Sequence, residues 1–195
     1  MKRMVLVLII AALVVGGAFA QMSAGVGLKG SFNTYKWEAG SYSMEQKINA
    51  FGANVFLDVK FAEINVDYLV ASPSDDAKAQ TSFLTLGVVG KYPIALGSNM
   101  EFFPFAGIDY AIAVAQQYDG KDTENKDLAD QNNRLSILLG VGFDFGFTDA
   151  IFLRAEIGYG IGLNTKSEQD ALSGSSDAKI TYGQLPFKVA IGFKF

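Results

Sequence analysis

The sequence predicts an all-β fold, an eight-stranded antiparallel up-and-down transmembrane β-barrel. Three observations point to it: eight stretches of period-two alternation, connections that alternate long and short, and a greasy chain without a helical span. Half of the 195 residues are hydrophobic. Yet beyond the first twenty no run of about 18 apolar residues remains to cross a bilayer as a helix. A closed barrel is the other way across, because closure satisfies every backbone polar group.

The N-terminus reads as an export signal. Met1–Lys2–Arg3 is a cationic start, Met4 to Val15 an apolar run, and Ala18–Phe19–Ala20 a small-x-small cleavage site. The expected domains are therefore a cleaved signal peptide at 1–20 and a barrel domain at 21–195. Lys2 and Arg3 are the charged residues removed, which leaves 14 basic against 20 acidic residues and a net charge of −6. That balance argues against nucleic acid as a partner. Cysteine and histidine are absent, so neither disulfides nor thiolate metal sites are available.

The expected strands are Ala24–Lys36, Ile48–Lys60, Glu63–Ala71, Thr81–Tyr92, Glu101–Ala115, Arg134–Phe147, Ile151–Leu163 and Tyr182–Phe195. Long connections are expected at Trp37–Lys47, Ser72–Gln80, Gln116–Asn133 and Asn164–Thr181, with short ones at Phe61–Ala62, Pro93–Met100 and Thr148–Ala150. An even strand number with long loops on one side fits an outer-membrane barrel, long loops outward and both termini periplasmic. In the sixth strand Leu135, Ile137, Leu139, Val141, Phe143 and Phe145 share one face, opposite Arg134, Ser136, Leu138, Gly140, Gly142 and Asp144. The seventh sets Ile151, Leu153, Ala155, Ile157, Tyr159 and Ile161 against Phe152, Arg154, Glu156 and three glycines. Pro73 and Pro93 fall in or beside connections, Pro104 and Pro186 near strand ends.

Which face meets lipid follows from the charges. The polar face collects Lys29, Lys60, Lys91, Arg154, Lys188 and Lys194 with Asp58, Glu63, Asp67, Asp109, Asp144 and Glu156. A balanced set can pair inside a narrow barrel while the apolar face meets lipid unaided. A three-residue turn at Thr148–Ala150 puts Asp144 opposite Arg154, and a two-residue turn at Phe61–Ala62 puts Lys60 opposite Glu63. The interior charge network expected from this register is Asp144, Arg154, Glu156, Lys188, Lys60 and Glu63. Phe61, Tyr92, Phe102, Phe145, Phe147, Phe193 and Phe195 suit an interfacial girdle at the short-turn end, with Trp37, Tyr42, Tyr118 and Tyr182 near the other rim.

Motifs that resemble chemistry have plainer explanations. Gly25-Val-Gly27-Leu-Lys-Gly30 matches a dinucleotide fingerprint but sits in an alternating strand with no helix after it. Asp119, Asp122, Glu124, Asp127 and Asp130 lack calcium-loop spacing and are diluted by Lys121 and Lys126. Without histidine or cysteine, Ser-His-Asp and Cys-His catalysis are excluded, and Glu156 with Asp144 lies too close to Arg154 for a carboxylate pair to stay free. The expectation is no catalytic residue, no metal site and no cofactor.

The final segment, Leu-Pro-Phe-Lys-Val-Ala-Ile-Gly-Phe-Lys-Phe from Leu185 to Phe195, alternates apolar with small or cationic residues and stops on an aromatic. It resembles the closing strand of an outer-membrane barrel, although Ala190 stands where a glycine is often found. Over its mature length the chain resembles the small outer-membrane barrels of the outer membrane protein A, X and W types. The resemblance implies residence in the cell outer membrane, contact with its lipid, and insertion by the barrel-assembly machinery, with Phe193 and Phe195 as assembly signal. It also implies a function: a charged, largely closed lumen in a structural or surface-interaction role, with four long external loops offered to an extracellular partner. The alternative it implies is a conduit for small hydrophobic molecules, toward which Leu138, Phe152, Phe56 and Phe83 on the inner face point.

Overall fold

The computed structural model describes residues 22–39, 41–73, 79–122, 133–163 and 178–195. The signal peptide expected at 1–20 and most of three long connections lie outside the described residues. Eight long strands run through the rest: β1 (Met22–Ala39), β2 (Tyr42–Val59), β3 (Ala62–Pro73), β4 (Ala79–Lys91), β5 (Met100–Tyr118), β6 (Arg134–Gly146), β7 (Ile151–Gly162) and β8 (Ala178–Lys194). Each pairs antiparallel with its sequence neighbours, and β1 also pairs with β8 from Ser23↔Lys194 to Ala39↔Ala178. The sheet thus closes on itself, and no long strand keeps an open edge.

Alternation decides which side faces in. Val26, Leu28, Leu139, Val189 and Ile191 stand exposed on the outer surface, whereas Glu63 and Asp67 are wholly buried inside. This is the reverse of a soluble protein and demands an apolar surrounding. The strands are 12 to 19 residues long, against roughly 9–11 needed to cross a bilayer at a tilt, so some project beyond the lipid.

Inner-face glycines admit large rings. A Cβ on Gly142 would collide with the Phe103 ring and one on Gly192 with the Phe152 ring. Phe103 and Phe152 are each only 1% exposed, so these glycines let two phenyl rings lie flat across the interior.

Two features depart from the sequence reading. The long first loop expected at Trp37–Lys47 is instead strand: Ala39 pairs with Tyr42, and β1 and β2 form one long hairpin. Likewise β5 continues to Tyr118, where Asp119 (φ 52°) and Gly120 (φ 75°) make a tight turn and Lys121 pairs back on Tyr118. An Asp-Gly pair with both φ positive suits a two-residue hairpin turn, because its twist matches that of the strands. The β4–β5 ladder also carries a bulge, pairing Ser82 with Ala115 but Phe83 with Ala113.

Candidate functional site in the barrel interior

The candidate site is an ion-pair cluster inside the barrel, toward its short-turn end. Its centre is Arg154 on β7, 1% exposed. Register puts Arg154 directly opposite Asp144 on β6. Nε and Nη2 of Arg154 donate to the two Asp144 oxygens at 2.7 and 2.6 Å, the two-pronged geometry that makes guanidinium–carboxylate pairs strong. From there the guanidinium reaches across the barrel: Nη2 donates to Asp58 Oδ2 at 2.7 Å and Nη1 to Glu63 Oε2.

Two lysines complete the charge balance. Lys91, at the end of β4, pairs with Asp58. Lys188 on β8 lies 2.6 Å from Glu63 Oε1 and 2.9 Å from Glu156 Oε2. Three cations therefore meet four carboxylates, all within the closed wall. Rings flank the charge: the Arg154 guanidinium carbon is 4.6 Å from the Phe56 centroid, 5.0 Å from Phe103 and 5.1 Å from Phe152. Desolvating several charges is tolerated only when each is paired and hydrogen-bonded.

Amides carry the network upward. Asn65 donates to Glu63 Oε1 at 2.8 Å, and Lys188 donates to Asn65 Oδ1 at 3.1 Å. Asn54 donates to Asn65 Oδ1 at 3.1 Å and also faces Asp67, which pairs with Lys29. A second polar layer holds Asp109, which accepts from Gln184 Nε2 at 3.1 Å. The Tyr182 hydroxyl lies 2.7 Å from Asn33 Oδ1 and 3.1 Å from Gln184 Oε1; its single proton serves one of them at a time. Above this lies an apolar cluster of Ala50, Leu69, Ala71, Phe83 and Ala113.

Of the six residues expected in the network, the structure brings five together: Asp144, Arg154, Glu156, Lys188 and Glu63. Lys60 is not among them. It sits in the β2–β3 turn with φ 54°, exposed, its ammonium 5.3 Å from the neighbouring Phe61 ring centroid. Glu63 instead pairs in register with Asp58, because the turn is Lys60–Phe61 rather than Phe61–Ala62. Asp58 and Lys91, placed on the polar face by their parity, belong to the network without having been assigned to it. Asn54 and Asn65 carried no signal beyond that same parity. Leu138, Phe152, Phe56 and Phe83 are all buried on the inner face, while Tyr182, expected near the rim, points inward. Phe193 and Phe195 are exposed on the outer surface, and the backbone N–H of Phe195 donates to Met22 O at 2.9 Å.

The glycine motif from Gly25 to Gly30 lies within β1, with no helix after it. Asp119 is exposed in its turn, whereas Glu124, Asp127 and Asp130 lie outside the described residues. Among the described residues no group of three or more acidic, histidine or cysteine side chains is placed to hold a metal ion.

The chain is similar to several solved structures. Neisserial surface protein A is 16% identical, with 89% of this chain and 99% of that one covered and a TM-score of 0.46. The N-terminal β-barrel domain of Pseudomonas aeruginosa OprF is 11% identical, with 86% and 97% covered and a TM-score of 0.45. Ail, the attachment invasion locus protein of Yersinia pestis, is 12% identical, with 91% and 100% covered and a TM-score of 0.43. No curated protein matches the chain. The family model of the outer membrane protein beta-barrel domain matches residues 5–195. With a closed ring of eight strands, an apolar outer belt and that match, the chain belongs to the outer membrane protein beta-barrel family and resides in the cell outer membrane.

Proposed function

We propose that this barrel is a closed, non-enzymatic outer-membrane protein with a structural or surface-interaction role at its loop end. One observation carries the reading: the Arg154 cluster ties β7 and β6 to β2 and β3 across the interior. The inner cavities beside that cluster and the polar layer above it are only about 30 and 20 Å³, each about enough for one water. Eight strands leave an interior that side chains fill. The lack of histidine and cysteine in the chain and the engagement of Asp144 and Glu156 with cations support a non-catalytic role. In this reading residues 1–20 are cleaved on export, Phe193 and Phe195 present the closing strand to the barrel-assembly machinery, and the long connections face outward. The β1–β2 hairpin takes the place of one of the four long loops, so three remain to meet an extracellular partner.

Two measurements test the reading. Single-channel recording in planar bilayers should find no large stable pore; one in the unmodified protein would overturn closure. Epitope tags at Asp75–Asp76 or within Asp119–Asp130 should label on intact cells, and a tag at Ser98 or Asn99 should stay hidden. The reverse pattern would overturn the orientation.

One observation favours the conduit as a second reading. The β7–β8 ladder has no pairing at Leu185 and Pro186, since proline lacks an N–H, and Pro186 lines the 30 Å³ cavity beside Leu138 and Phe105. Uptake of a small hydrophobic dye into proteoliposomes, above the level of protein-free vesicles, would favour it.

A further inference from the structure

At the loop end the interior opens into a cavity of about 350 Å³, at the small end of the size range of ligand sites. Arg134, the first residue of β6, lines it. Its guanidinium carbon is 4.2 Å from the Phe83 ring centroid, 4.9 Å from Tyr182 and 5.4 Å from Tyr35. Three aromatic rings thus surround the cation. Two of its three nitrogens are unmet: Nε and Nη1 are buried and donate to no partner, and these atoms carry three of the five guanidinium N–H groups. Among the described residues no carboxylate lies within 4 Å of it, although seven ion pairs organise the cluster below. Buried donors left unmet are rare in folded proteins.

The walls above this cation are of a different kind. Gln46, Gln80, Gln116 and Thr81 offer amide and hydroxyl groups, and the Tyr118 ring stands at the same rim. Amides that both donate and accept, beside aromatic faces, suit a ligand rich in hydroxyl groups. Unmet guanidinium N–H groups suit a carboxylate, which accepts a charge-assisted hydrogen bond from them. We propose that this cavity is a binding site for a small, soluble acidic saccharide of about two sugar units, its carboxylate seated on Arg134. The inference deepens the surface-interaction role proposed above by naming a ligand class, and it rests on that reading for access from outside the cell.

The test is calorimetric titration of the detergent-purified protein with digalacturonate, the matching neutral disaccharide, sodium sulfate and octanoate. Detergent exposes both ends of the barrel, so binding is read independently of orientation, which the tag experiment alone decides. Digalacturonate should bind, with the other three at least tenfold weaker. Arg134→Gln should weaken digalacturonate at least tenfold, the scale of a lost charge-assisted pair. Arg134→Lys keeps the charge without the fork and should fall between. Gln116→Ala, on the rim, should weaken binding severalfold and stands in should Arg134→Gln fail to fold. Absence of digalacturonate binding, equal binding by the folded Arg134 and Gln116 variants, or sulfate or octanoate binding as tightly would each overturn the proposal.

Discussion

Replacing Arg154 by methionine isolates one carboxylate more than any other. Asp58 would keep Lys91, and Glu63 and Glu156 would keep Lys188. Asp144 has Arg154 as its only ion-pair partner among the described residues, and it is 5% exposed. The cluster of three cations and four carboxylates carries a net charge of −1. Arg154→Met leaves −2, and adding Asp144→Leu restores −1. Stranding one member of a buried pair typically costs ~3–5 kcal/mol, while replacing both with apolar groups is often near neutral. Because Arg154 also serves Asp58 and Glu63, the double variant should regain part of the loss, a coupling of roughly 1–3 kcal/mol. Urea unfolding in detergent, followed by tryptophan fluorescence and by gel mobility, reads all four corners of the cycle. Additive losses, with the double variant as weak as the sum of the singles, would refute the ion-pair reasoning.

Three further outcomes follow from the same geometry. Lys60→Ala should change unfolding stability by no more than about 0.5 kcal/mol, as for exposed sites, whereas Lys91→Met should destabilise clearly by removing one of the two cations on buried Asp58; equal effects in urea melts would contradict the observed turn. Gly142→Ala forces a methyl into the Phe103 ring and should cost about 1–3 kcal/mol, as overpacked cores do, with Phe103→Leu in the same chain recovering stability. Deleting Phe195 should leave exported protein in the periplasm at a reduced insertion rate, and normal surface exposure of the deletion would count against an assembly role for the terminal aromatic.

The wall was legible because lipid imposes period two on every strand that crosses it. Where strands leave the lipid, both faces meet water and the pattern fades. That is why Glu38, Ser43, Glu45 and Lys47 read as loop although they lie in the β1–β2 hairpin. The displaced Lys60 has another cause. Inward residues are even-numbered on β2 and odd-numbered on β3, so pairing Lys60 with Glu63 and pairing Asp58 with Glu63 satisfy the faces equally. Alternation fixes register only to within two residues, and the turn makes the final choice. For β6 and β7 the same ambiguity did no harm: Phe147 N–H donates to Ile151 O, and the turn length inferred from sequence matches. The Arg134 environment was invisible for a different reason, since its rings come from β1, β4 and β8 and nothing local in the chain announces their meeting.

The contacts of Arg154 join residues 91 and 96 positions apart, and the β1–β8 seam joins the two ends of the described chain. Neighbouring strands zip one after another as hairpins, but no hairpin brings Arg154 to Glu63 or Lys188 to Asn65. Those partners meet only when the ribbon curls and its first and last strands find each other. Until then Asp58 and Glu63 lack the Arg154 guanidinium, whereas Arg154–Asp144 and Lys188–Glu156 already face each other on neighbouring strands. The bonds from Arg154 to Asp58 and Glu63 thus belong to the sealed ring rather than to any one hairpin, and they tie completion of the cluster to closure of the seam.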